Sequence, residues 1–216
     1  MRFDLVIFDC DGVLVDSEAV ANEVLAATVR GHGVALTGAE SQSIFMGMSL
    51  DAVRLHANER FGIAMPEDWA VAYYATLIPM LAERCEPIEG VHDVVGRLKQ
   101  ANVPFCVASQ GPPEKMRATL TASGLWADFG GSAFSAKMIR HPKPAPDLFL
   151  HAAQTKGFPP ERCAVVEDTV VGVTAGIAAG MTVFAYCSPE SAAAMTGLGA
   201  TPFHTMRDLP GLFGLD

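Results

Sequence analysis

Two aspartates stand one residue apart, Asp9 and Asp11, directly after the apolar run Phe3–Phe8 that only Asp4 interrupts. On an extended chain, residues two apart point to the same side, so these carboxylates would repel one another. A cation between them, or a proton on one of them, relieves the repulsion. Gly12 follows and permits a sharp turn. The letters D-x-D-G also make an ordinary turn. Position favours chemistry: β-branched Val6 and Ile7 mark a buried parallel strand, and open α/β sheets bind ligands at the carboxyl ends of their strands.

Three later strand ends carry comparable groups. The run Val103–Ala108 leads into Ser109-Gln110-Gly111, then Pro112-Pro113 and a helix. A hydroxyl, backbone N–H groups and a helix N-terminus suit an anion; a serine there also serves as an ordinary helix cap. A short strand, Ser132–Ser135, precedes Lys143, which prolines flank on both sides within His141–Asp147. That framing fixes where the lysine points, whereas a solvated lysine needs none. The strand Cys163–Val166 ends in Glu167-Asp168. Asp168 is a candidate cap for the next helix, and two adjacent acids are also donors for a hard cation. In a parallel sheet all four ends converge on one edge. A carboxylate pair, a serine, a lysine and a second carboxylate pair around Mg2+ would make a phosphate-handling site.

The elements that must position these groups follow from periodicity. From Gly90 onward, helix and strand alternate: helix Val91–Gln100, the strand at Val103, helix Glu114–Ser123, the strand at Ser132, helix Asp147–Lys156, the strand at Cys163, helix Thr169–Ala179, strand Thr182–Tyr186, helix Ser191–Leu198 and a weak strand Thr201–His204. Such alternation with short connections predicts a doubly wound parallel sheet, a Rossmann-like α/β core. Between the first strand and Gly90 the pattern is helical only, with helices from Glu18 to about Val29, Ala39–Met46, Leu50–Phe61 and Glu67–Arg84, and Asp16-Ser17 as the first cap. This predicts a small all-helical domain, residues 17–86, inserted into a core made of residues 1–16 and 87–216.

The chain has 216 residues, half of them hydrophobic, and a net charge of −9. The length suits a core domain with a small second one. No basic stripe is present, which argues against nucleic acid as a partner. The five cysteines are odd in number and form no C-x-x-C pair, the usage of an intracellular protein with reduced thiols. The N-terminal run is followed by an acidic loop rather than a cleavage site, so the expectation is a cytoplasmic protein. Thr169–Pro189 contains no charged residue and has nearly the length of a membrane span. Gly172, Gly176 and Gly180 instead predict a helix lying close against a sheet, followed by a strand, and no membrane partner.

These four stretches, in this order, resemble the haloacid dehalogenase superfamily. DCDGVLVD resembles its first motif, Ser109 its second, Lys143 within KPAPD its third, and Glu167-Asp168 within VVEDT its fourth. The helical block resembles the family's small cap, and the subgroup resembled is that of β-phosphoglucomutase-like proteins and sugar-phosphate phosphatases. The resemblance implies that Asp9 is the nucleophile and forms an aspartyl-phosphate. It makes Asp11 the proton donor to the leaving oxygen and then the base for water. Mg2+ is implied at Asp9, Asp11 (through its backbone carbonyl) and Asp168, with Glu167 nearby. Ser109 and the Gln110 N–H would hold phosphoryl oxygens, and Lys143 would offset charge. Gly47-Met48-Ser49 would form a specificity loop, which is equally an ordinary helix–helix turn. An acid at Asp11 favours phosphate-ester chemistry over dehalogenation. Mutases of the family carry a His and an Arg in the cap where this chain has Ala21 and Leu50. The expectation is therefore a Mg2+-dependent phosphatase of a small phosphorylated metabolite, acting as a monomer or weak homodimer, with a β-phosphoglucomutase-type enzyme as the alternative.

Overall fold

The computed structural model describes residues 3–215. The first strand, β1 (Leu5–Phe8), is buried along its whole length. Phe3, just before it, is buried as well, while Asp4 leaves the sheet to pair with Arg162 at 2.7 Å. The strand is thus shorter than the apolar run that announced it. A two-residue strand, β2 (Val15–Asp16), follows the Asp9–Gly12 turn.

The chain then builds α1 (Glu18–Gly31), α2 (Gly38–Phe45), α3 (Leu50–Phe61) and α4 (Trp69–Arg84). It returns through β3 (Glu86–Pro87), which pairs antiparallel with β2, Val15 opposite Pro87 and Asp16 opposite Glu86. This ribbon was invisible in the sequence, because two-residue strands carry no periodicity. Helix and strand next alternate through α5 (Val91–Gln100), β4 (Phe105–Ser109), α6 (Pro113–Ala122), the short α7 (Trp126–Phe129), β5 (Ala133–Ser135) and α8 (Asp147–Lys156). The remainder is β6 (Cys163–Glu167), α9 (Val170–Ala178), β7 (Thr182–Tyr186), α10 (Ala192–Gly197), β8 (Thr201–Phe203) and α11 (Leu209–Phe213).

Two compact units result: Met1–Asp16 with Glu86–Asp216, and Ser17–Cys85. The first contains a six-stranded sheet of order β5-β4-β1-β6-β7-β8, parallel throughout. β1 lies inside the sheet, Ile7 opposite both Cys106 of β4 and Val165 of β6. After β5 the chain crosses back over β1 to start β6, so the winding reverses beside β1, the position where such sheets bind ligands. Leu5 and Ile7 face Phe149, Ala152 and Val173 of the flanking helices. Phe8, on the opposite face, meets Phe129 edge-on at 5.9 Å. α9 lies so close to the sheet that a Cβ at Gly176 would come within 2.7 Å of Val183 Cγ2. The uncharged stretch from Thr169 is therefore a helix and a strand of this core, and no helix among the described residues is long and apolar enough to cross a membrane.

The second unit packs α1 against α2 and α4. Ser17 occupies the cap position of α1 but makes no side-chain capping bond. Thr37 and Glu40 form a full capping box on α2: the Glu40 N–H reaches Thr37 Oγ1 at 3.2 Å, and the Thr37 N–H reaches Glu40 Oε2 at 2.8 Å. Tyr73 of α4 donates to the Ala21 carbonyl at 3.3 Å, tying α4 to α1.

Candidate active site

Asp9 follows β1 directly, and its N–H still bonds across to Val166 O at 2.9 Å. Its side chain is therefore as rigidly placed as the sheet. Burial leaves it 8% exposed and pushes its carboxyl up to about 7; Lys143 works against that, while Glu167 and Asp11 reinforce it. The repulsion expected between Asp9 and Asp11 is relieved by two lysines, one for each acid. Lys143 Nζ reaches Asp9 Oδ1 at 2.5 Å, and Lys115 Nζ reaches Asp11 Oδ1 at 2.5 Å.

Lys143 is the hub. Besides Asp9 it donates to Glu167 Oε1 at 2.7 Å and to the Ala108 carbonyl at 3.0 Å, and it lies 4.5 Å from the centre of the Phe149 ring. Burial disfavours its charge, but Asp9 and Glu167 outweigh burial and raise its proton affinity. The ammonium thus stays charged in an apolar setting, with its three donors directed by three acceptors. The Lys143–Pro144 peptide is cis.

Glu167 is 1% exposed. Its Oε1 accepts from Lys143, and its Oε2 accepts from the N–H groups of Asp168 and Thr169, both at 2.9 Å, and from the Thr169 hydroxyl at 3.0 Å. Four donors fix this carboxylate. Thr169, rather than Asp168, caps α9, accepting from the Gly172 N–H at 3.0 Å. Asp168 points elsewhere: its carboxylate fills the space that a Cβ on Gly12 would occupy. Gly12 also has φ +78°, so the turn after Asp11 needs glycine both for its conformation and for its contact with Asp168.

Ser109 ends β4 and is buried. Its hydroxyl accepts from the Gly111 N–H at 3.0 Å, and the Gly111 carbonyl accepts from Ser135 Oγ at 2.7 Å. The loop after β4 is thereby fixed to β5, a contribution of Ser135 that sequence reasoning missed. Gln110 within this loop is exposed. Pro112, not Ser109, occupies the cap position of α6.

The structure therefore gathers Asp9, Asp11, Ser109, Lys143, Glu167 and Asp168 at the carboxyl ends of β1, β4 and β6. It adds Lys115, whose partner Asp11 is 104 residues away. Gly47, Met48 and Ser49 belong to the helical unit. Gly47 and Met48 line a cavity of about 150 Å³ there, with Glu18, Asn22, Gln42 and Tyr73. Ala21 and Leu50 line the same cavity. Ser49 caps α3, accepting from the Ala52 N–H at 3.2 Å.

Among the described residues, no three His, Cys, Asp or Glu side chains gather to hold a metal by themselves. The donor set still fits a hard divalent cation. Four carboxyl groups (Asp9, Asp11, Glu167, Asp168) gather with two ammonium groups (Lys115, Lys143), so acids outnumber cations in a largely buried place. A divalent cation balances that excess. Oxygen donors from Asp9, Asp168 and the Asp11 carbonyl are the ligand type it takes.

The fold is a doubly wound α/β sheet whose switch point carries an acid–lysine–acid cluster. The chain belongs to the haloacid dehalogenase-like hydrolases, whose family model matches residues 3–180. It is a phosphoric monoester hydrolase of that family. The chain is 30% identical over 213 residues to 6-phosphogluconate phosphatase of Escherichia coli K12, covering 98% of this chain and 95% of the relative. It is 31% identical over 193 residues to hexitol phosphatase A of the same organism, covering 88% and 85%. A haloacid dehalogenase family hydrolase from Deinococcus radiodurans, solved with bound phosphate and sodium, shares the fold at a TM-score of 0.81 and 30% identity, covering 99% of this chain and 96% of that one.

Proposed function

We propose that this chain is a Mg2+-dependent phosphatase that hydrolyses the monophosphate of a sugar, sugar alcohol or sugar acid through a phosphoryl group carried on Asp9. The observation that carries this reading is the buried Asp9–Lys143–Glu167 cluster, which holds one carboxylate rigidly at the sheet's switch point. Asp9 attacks phosphorus, the ester P–O bond breaks, and the leaving oxygen takes a proton from Asp11. Water then loses a proton to Asp11 and attacks the phosphoryl-Asp9, releasing phosphate and restoring both acids. Lys143 offsets the charge that the nucleophile and the phosphoryl group bring together. Ser109 has accepted from Gly111, so its own proton remains available for a phosphoryl oxygen. Mg2+, held by Asp9, Asp168 and the Asp11 carbonyl, would supply electrostatic stabilisation of the phosphoryl oxygens.

The relatives named for 6-phosphogluconate and hexitol phosphates support a small polyhydroxylated substrate. Ala21 and Leu50, which stand where mutases of the family carry a His and an Arg, support a single phosphate. The chain would work as a monomer or a weak homodimer. The test is phosphate release from a panel of hexose, hexitol, sugar-acid and nucleoside monophosphates, with and without Mg2+. Release is expected to need Mg2+ and to fall by at least about a thousandfold in Asp9→Asn, the scale on which removing a nucleophile acts. Full turnover by Asp9→Asn would overturn the mechanism. Isomerisation of β-glucose 1-phosphate on addition of a bisphosphate, without net release, would establish a mutase instead.

A further inference from the structure

Lys115 has no part in the steps above, yet its position is costly. It is the third residue of α6, where the helix dipole disfavours a cation, and its side chain is only 11% exposed. Neither capping nor solubility explains a buried ammonium in a first helical turn. The same face of α6 makes a second contact with the catalytic loop one turn later, where Thr119 Oγ1 lies 3.8 Å from Cys10 Sγ. α6 is thus fitted against the Asp9–Asp11 segment at two points.

The carboxylate that Lys115 holds is 29% exposed. Its two oxygens meet different surroundings. Oδ1 accepts from Lys115, while Oδ2 faces the loop after β4: a Cβ on Gly111 would lie 3.9 Å from Asp11 Oδ2 and 3.4 Å from Ser109 Oγ. The ammonium on Oδ1 thus sets the orientation of the carboxyl group, with Oδ2 turned to the side of the anion-binding loop.

We propose that Lys115 is a positioning residue that holds Asp11 so that Oδ2 delivers and receives the proton. This rests on reading Asp11 as the proton donor to the leaving oxygen. Removing the tether leaves the acid present but poorly aimed, and a misplacement of about 1 Å costs on the order of a hundredfold.

The test compares kcat/KM for two esters: a hexitol phosphate, whose alkoxide must be protonated as it leaves, and p-nitrophenyl phosphate, whose phenolate leaves unprotonated. This ratio reports only steps up to cleavage of the ester bond, so the later use of Asp11 as a base does not enter. Lys115→Met is expected to lower kcat/KM for the hexitol phosphate by about ten- to a hundredfold more than for p-nitrophenyl phosphate. Lys115→Arg, which restores a donor to Oδ1, is expected to bring the two losses back within about threefold of one another. If Lys115→Met does not fold, Lys115→Leu, which likewise has no donor, carries the same comparison. Equal losses on both esters, or no loss on either, overturn the proposal. Asp11→Asn run in parallel separates the two levels. If Asp11→Asn is selective for the hexitol phosphate and the Lys115 variants are not, only the role of Lys115 fails. If Asp11→Asn is unselective, the reading of Asp11 as the acid fails, and this proposal with it.

Discussion

Lys143 sits among groups that would each be unfavourable to bury alone. Asp9, Glu167 and the ammonium are all nine-tenths buried or more, and each is tolerated because the others are present. Removing the cation is therefore expected to cost far more than a surface pair would: Lys143→Met should lose about 3 kcal/mol of stability, read from the urea midpoint. A loss below about 1 kcal/mol would mean that the two acids find other partners. Sequence made the hub legible for a physical reason. Asp9 and Glu167-Asp168 each follow an apolar strand where a charge needs justification, and Lys143 stands between prolines. Lys115 and Ser135 were not legible, because nothing near either in the sequence shows what it pairs with. Their meaning lies in partners 104 and 24 residues away.

Helix α9 shows how an element serves a site that it does not itself supply. Gly172 leaves room for the Glu167 carboxylate, which a Cβ would overlap, and Gly176 leaves room for Val165 and Val183. Gly172→Ala is expected to displace Glu167, cost about 1–3 kcal/mol, and lower turnover through Lys143. Gly96→Ala is the contrast: in the middle of α5, with nothing within 4 Å of a new Cβ, it should gain about 0.5–1 kcal/mol. Urea melts of both variants check the pair, and a neutral Gly172→Ala would show that α9 can shift outward. The small-residue stripe was readable as close packing against a sheet. Its partners were not readable, since a stripe looks the same against valines or a carboxylate. Apolar runs announced the sheet strands, but their ends moved by one or two residues. β1 begins only after Phe3 and Asp4, and β6 extends through Glu167.

Across the whole molecule the five cysteines are free, and four are buried. Burial pushes the Cys106 thiol up to about 12 and Cys163 up to about 11, raises Cys10 as well, and leaves Cys187 the most accessible. At pH 8 the folded protein is expected to react quickly with Ellman's reagent at about one thiol, and the denatured protein at all five. Fast reaction at two or more would show that the sheet opens.

The sheet order also sets a schedule during synthesis. β1 leaves the ribosome early, but its neighbours in the sheet begin only at Phe105 and Cys163. From Phe8 to Phe105 is 97 residues (105 less 8), about 5–20 s of translation. Throughout that interval an apolar strand ending in Asp9 has neither of its partners, while Ser17–Cys85 is made in between. The strand that carries Asp9 is thus the one that a nascent chain must shield longest, and a chain released before β4 is made would expose it as an unpaired edge.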